Sequence, residues 1–161
     1  MTEEQINILI ADAESFIYFQ QRKIDKLIQD KDMLSLEDSS QIFKYLADSL
    51  SKISNLLSKT MEIENRDKLT DIFEISLNTI GWVIYTLPTL EIYTNLFPEN
   101  FTIKDKDILD YLAYNLMELE NIASNTNTLK SFSLDVADNL REVSSLLGHL
   151  SEISKKGIYF N

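Results

Sequence analysis

His149 is the single histidine of the chain, and there is no cysteine. Those two counts limit acid–base, nucleophilic and metal chemistry before any spacing is considered. A Ser-His-Asp triad would have to combine His149 with Ser144 or Ser145 and Asp138, all on one helical stretch beside Gly148. No strained turn there would expose a nucleophile. A carboxylate-bridged di-iron site takes paired Glu-x-x-His units plus further glutamates. The chain offers only His149-x-x-Glu152, once and in reverse order. Arg141 stands eight positions before His149, one too many for the arginine–histidine motif of helical ribonucleases. A histidine near the end of a helix, facing solvent and the negative end of the dipole, accounts for His149 without any reaction.

Carboxylates are plentiful, but a glycosidase pair is defined by its separation in space, which helical spacing does not give. Asp105, Asp107 and Asp110, interleaved with Lys104 and Lys106, have the look of a calcium loop, yet the central glycine of such a loop is missing. The run fits better as the acidic first turn of a helix, where the dipole favours negative charge. No phosphate-cradling glycine loop or dinucleotide fingerprint occurs. The expectation is therefore no enzyme: no catalytic, cofactor-binding or metal-binding residue, and no cofactor. The alternative, an enzyme or small-ligand carrier without a recognisable motif, predicts a deep cavity lined by converging polar groups.

The elements that would position any site are helices. Three Gly and two Pro in 161 residues are too few for the turns of a β sandwich or barrel. Apolar residues recur instead every three or four positions. Ile6, Ile10, Ala13, Ile17, Ile24 and Leu27/Ile28 mark a first helix, with Thr2 and Gln5 at capping-box spacing before it. A second follows Ser35 or Asp38 and carries Phe43, Leu46, Leu50, Ile53 and Leu57. A third begins near Asn65, and Ile75, Trp82 and Tyr85 widen its apolar stripe, which predicts the most buried element. Proline at position 88 should end it at Leu87, and a short helix before Pro98 is preferred over a strand for 89–101. A fourth opens near Thr102. A fifth reads Phe132, Val136, Leu140, Val143, Leu147 and Leu150, nearly a heptad stripe, and closes at Gly157. The fold class expected is all-α: a single antiparallel bundle of about five helices (four to six) forming one domain over 1–161, with 155–161 as a flexible apolar tail.

Residues 46–63 align without gaps to 136–153, with Ala47/Ala137, Asp48/Asp138, Leu50/Leu140 and Ser54/Ser144 among the identities. A weaker copy begins at Leu112, where Ala113 and Asn115 match Ala137 and Asn139. Leucine matches between amphipathic helices are cheap. The alanine, aspartate and serine are more informative, and they point to shared packing constraints ahead of a duplication, because small residues permit close helix approach.

Fifteen Lys+Arg stand against 26 Asp+Glu, a net charge of −11. Such a chain is repelled by nucleic-acid phosphate and by anionic lipid, so neither direct nucleic acid nor a membrane is an expected partner. The first residues are acidic where a signal peptide needs positive charge, and the apolar stretch Ile72–Leu87 is interrupted by Glu74, Asn78 and Gly81. A cytoplasmic location is expected. The predicted role is binding another protein, one that is basic and itself acts on nucleic acid. Inhibitors, toxin-immunity proteins and accessory proteins of phages and mobile elements share this size, acidity and lack of motifs. A homo-oligomeric assembly subunit is the alternative, since the stripes of helices two and five can pair between chains and give a homodimer. Two sets of residues are candidates for the contact. One is the acidic run Glu99, Asp105, Asp107, Asp110, Glu118 and Glu120. The other is the aromatics Tyr18, Phe19, Tyr93, Tyr159 and Phe160.

Overall fold

Capping chemistry starts the helices at the positions the sequence marks. The Thr2 side chain accepts from the Gln5 amide while the Gln5 side chain accepts from the Thr2 amide, a reciprocal box that opens α1 (Glu3–Ile28). Ser35 and Asp38 do the same for α2 (Leu36–Ser58). A turn of 3-10 helix (Thr60–Glu62) leads to Asn65, whose side chain accepts from the amides of Asp67 and Lys68 and begins α3 (Arg66–Tyr93). α4 (Lys106–Ala123) and α5 (Leu129–Lys156) follow. The computed structural model describes residues 1–29, 34–93, 106–123 and 129–156, all-helical with no strand among them. Glu99, Asp105, Tyr159, Phe160 and Gly157 lie outside the described residues, as does the segment that would hold a helix before Pro98.

α2, α3, α4 and α5 each pack on the next, and α5 returns to α2, which closes an up-and-down four-helix bundle. α1 lies outside that ring, against α2 and α3. Its first turns share a pocket with Lys59 and Glu62, so α1 starts where α2 ends. α1 and α3 therefore run in the same direction. The expected apolar stripes bury: Phe43, Leu46, Leu50, Ile53 and Leu57 of α2 and Val136, Leu140, Val143 and Leu147 of α5 share one core with Ile72, Ile80 and Val83 of α3 and Leu112 and Leu119 of α4.

The most extensive helix contact is that of α2 with α5, and small residues at seven-residue intervals make it so: Ser40, Ala47 and Ser54 on one helix, Ala137, Ser144 and Ser151 on the other. The Ser40 hydroxyl donates to the Ser151 carbonyl at 2.7 Å, and the Ser151 hydroxyl to the Ser40 carbonyl at 2.7 Å. Ser144 donates to the Ala47 carbonyl at 2.7 Å, and Ser54 to the Ala137 carbonyl at 2.6 Å. Side chain to backbone bonds across two helices require the backbones to lie close, and only Ala, Ser or Gly leave that room. The Ala47/Ala137 and Ser54/Ser144 identities now have a cause. A local twofold relates the helices, so each alanine carbonyl faces the other helix's serine. The stripes of helices two and five thus pair with each other within one chain.

Two expectations about the third helix change. Pro88 does not end it: α3 runs on to Tyr93 with the proline inside. The ring deprives one carbonyl of its donor, at a cost of about 3 kcal/mol. Leu87 and Leu90 on either side are both fully buried, and each returns about 1.5–3 kcal/mol. The hydroxyls of Thr86 and Thr89 also donate to the carbonyls of Trp82 and Thr86. Nor is α3 the deepest element: α2 buries 12 of its 23 residues, while α3 buries 10 of the 25 over 66–90. Of the residues that widened the α3 stripe, Ile75 and Trp82 are half-buried against the core, and Tyr85 faces outward at 78% exposed. An apolar count overstates α3 and misses the buried Ser39, Ser40, Ser49 and Ser54 of α2.

Gly81 and Gly148 sit inside helices with no atom within 4 Å of where a Cβ would be. Gly81→Ala is therefore expected to stabilise the fold by about 0.5–1 kcal/mol, by removing backbone freedom from the unfolded chain. Thermal unfolding followed by circular dichroism checks this, and an unchanged or lower midpoint would contradict it.

Candidate functional site

The inner face of α1 is committed to the core through Ile6, Ile10, Ala13, Ile17 and Ile24. On its flank toward α2, Lys52 pairs with Asp12 and lies 5.3 Å from the Phe16 ring, and Lys23 lies 5.2 Å from the Tyr45 ring. Phe16 is thereby half-buried against the core. Tyr18 and Phe19 are the rings left over: they stand 55% and 60% exposed, edge to face, with centroids 6.0 Å apart.

Both rings line an open groove of about 660 Å³ between α1 and α3. α1 contributes Glu14, Ile17, Tyr18 and Gln21, and α3 contributes Asp71, Glu74, Ile75 and Asn78. No lysine, arginine or histidine is among the lining residues. Arg22, one turn past Tyr18, lies 5.9 Å from its ring at the rim. Glu14, Asp71 and Glu74 were not singled out from sequence. Their common location depends on the parallel course of α1 and α3, which no local pattern announces.

Of the acidic run expected to form a face, the side chains of Asp110, Glu118 and Glu120 are among those described. Asp110 and Glu120 are exposed, while Glu118 is partly buried. Two positions apart on a helix, Glu118 and Glu120 point in different directions. The exposed residues of α4 include Tyr114 and Met117 beside Asp110. Asp107 lies in the first turn of α4, and Tyr93 is the last residue of α3. α4 packs on α3 and α5, away from the Tyr18–Phe19 groove on α1.

Between α4 and α5 the structure holds a polar cluster. The Tyr111 hydroxyl donates to Asn139 Oδ1 at 2.8 Å and lies 3.2 Å from Glu142 Oε2. Asn139 Nδ2 donates to Asn115 Oδ1 at 2.9 Å, and the buried Asn115 donates from Nδ2 to the Tyr111 carbonyl at 2.7 Å. Ile108, Val143 and Leu146 join Tyr111 and Glu142 around a small, mainly apolar cleft of about 210 Å³. The weak third copy in the sequence matched Asn115 to Asn139, and these two asparagines bond to each other.

Burial raises the Tyr111 hydroxyl above its ordinary 10.0, and Glu142 adds to the shift through its hydrogen bond and its charge. A folded-state value above the unfolded one stabilises the protein below pH about 10, and this contribution is lost as pH climbs through the raised value. Tyr111→Phe is therefore expected to flatten the alkaline part of the stability profile. Glu142→Gln should move the Tyr111 titration back down in a phenolate absorbance measurement. An unmoved titration would contradict the assignment.

His149 is exposed near the end of α5. Among the described residues no group of three or more His, Asp or Glu is placed to hold a metal ion, and no helix is long and apolar enough to cross a membrane. No curated protein and no solved structure matches the chain. A family model whose description reads only "Uncharacterized protein" matches residues 6–161, nearly the whole sequence, and the chain belongs to that family.

Proposed function

We propose that this protein is a non-catalytic binding module that holds another protein, in the manner of inhibitors, immunity proteins and accessory proteins of phages or mobile elements. Its contact is the α1/α3 groove. The observation that carries the reading is the Tyr18–Phe19 pair, more than half exposed at the groove between α1 and α3. Aromatic side chains are enriched among interface anchors, and each ring left in water forgoes about 1.5–3 kcal/mol that burial would return. The absence of cysteine fits a reducing compartment, and we place the protein in the cytoplasm.

The test compares wild type with Tyr18→Ala/Phe19→Ala in affinity capture from the native cells, followed by measurement of Kd for the partner recovered. Two anchors of about 1–2 kcal/mol each predict a loss of roughly 30-fold or more. A double variant that keeps full affinity would sink the reading. Asp110→Lys/Glu120→Lys, on α4, should leave Kd within about threefold, because exposed rim charges contribute little.

A further inference from the structure

The α1/α3 groove is graded along its length. Because the two helices run in the same direction, Glu14 and Asp71 lie toward one end, Glu74 leads on to Tyr18 and Ile75 in the middle, and Gln21 and Asn78 follow. None of the three carboxylates forms an ion pair with a described residue. The molecule already shows how it satisfies such an arrangement. On the α2 flank of α1, Asp12 and Phe16, four residues apart, together hold the Lys52 ammonium. On the groove flank, Glu14 and Tyr18 repeat that carboxylate–aromatic spacing two residues further round the helix. There, among the described residues, the cation near the ring is Arg22, 5.9 Å from its centroid.

Resting on the reading that this groove docks a protein, we propose that its occupant is a positively charged amphipathic helix of the partner. The occupant helix lies between α1 and α3, with lysine or arginine at the Glu14–Asp71–Glu74 end and aliphatic side chains over Tyr18 and Ile75. Two parallel helices offer ridges at intervals of three and four residues, which suit a third helix, and charge complementarity sets both its identity and its direction. The cation goes where Lys52 goes on the opposite flank, between a carboxylate and a ring.

The probe is a synthetic alanine-based helical peptide with arginine and leucine on one face, labelled for fluorescence anisotropy, alongside its citrulline analogue. Wild type is expected to bind the arginine peptide. Glu14→Gln/Asp71→Asn/Glu74→Gln, three exposed changes that circular dichroism should show to be folded, is expected to weaken binding about tenfold. Asp110→Asn/Glu118→Gln/Glu120→Gln alters net charge equally on α4 and is expected to weaken it less than about twofold at matched ionic strength. Equal losses in the two triple variants, or equal binding of the citrulline peptide, would overturn the proposal by reducing it to bulk charge. So would no measurable binding of the arginine peptide to wild type. If the native partner is lost on Tyr18→Ala/Phe19→Ala but kept by the groove amide variant, the docking site stands and the basic occupant is wrong.

Discussion

Ala47→Leu and Ala137→Leu should each lower the unfolding free energy by about 3 kcal/mol, at the top of the usual range for overpacking. They should do so by the same amount. Each alanine lies in the α2/α5 seam with its carbonyl bonded by a serine of the opposite helix. A leucine there has two outcomes. It separates the helices and breaks the serine bonds, or it stays and is forced from its rotamer against backbone. Neither site can relax outward, because both alanines are already 95% buried or more. Equality of the two costs follows from the local twofold, which gives Ala47 and Ala137 equivalent surroundings. Urea unfolding followed at the helical circular-dichroism band measures both. A cost under about 1 kcal/mol at either site would refute a close seam, and clearly unequal costs would refute the twofold. Should a leucine variant fail to fold, Ser54→Ala and Ser144→Ala form a milder matched pair. Each removes one hydroxyl donor and is expected to cost about 1–1.5 kcal/mol.

Asn115→Asp is expected to cost about 3–5 kcal/mol at neutral pH, in the range for an uncompensated buried charge, and to recover in acid. Asn115 is fully buried and donates to the Tyr111 carbonyl. An ionised aspartate would turn an acceptor toward that acceptor in a site with little water. Protonated, the same side chain can donate and restore the bond. Burial and the carbonyl therefore raise the folded-state value above the unfolded value of about 3.9. The variant should approach wild type below pH about 4 and lose about 1.4 kcal/mol per pH unit above it, until the raised value is passed. Asn115→Leu serves as the control. It carries no charge, and Asn139, partly exposed, can turn its amide to water, so a cost near 1–2 kcal/mol without pH dependence is expected. A pH-independent loss in Asn115→Asp would show that the Tyr111 carbonyl does not constrain this position.

The fold was legible in the sequence wherever information is local. Thr2/Gln5, Ser35/Asp38 and Asn65 mark helix starts through contacts spanning three residues, and the apolar stripes of α1, α2 and α5 identify their buried faces. Even the Ala47/Ala137 echo was visible, although only the structure supplies its cause. The failures have two physical sources. Ser40 and Ser151 are polar by type and buried by circumstance, because their hydroxyls bond to carbonyls of a helix 111 positions away. Pro88 looked like a terminator because its local penalty is readable, while the burial of Leu87 and Leu90 that offsets it is tertiary. For the candidate site, Tyr18 and Phe19 were named from sequence as contact candidates, and both are exposed at the groove. Glu14, Asp71 and Glu74 were missed, since what unites them is the direction of α3 relative to α1.

The α2/α5 seam also sets the order in which the protein can be made. α2 is synthesised two helices before α5, so the face of α2 that carries Ser40, Ala47 and Ser54 must wait, uncovered, while α3 and α4 emerge. Closing that contact spans a long loop whose entropy has to be overcome before the serine bonds return anything. A nascent chain stalled before α5 would expose the Phe43–Leu57 stripe to solvent and to other chains. The most extensive interface in the native state thus forms only after α3 and α4 have been made, and that delay makes α2 a segment where a chaperone would have much to protect.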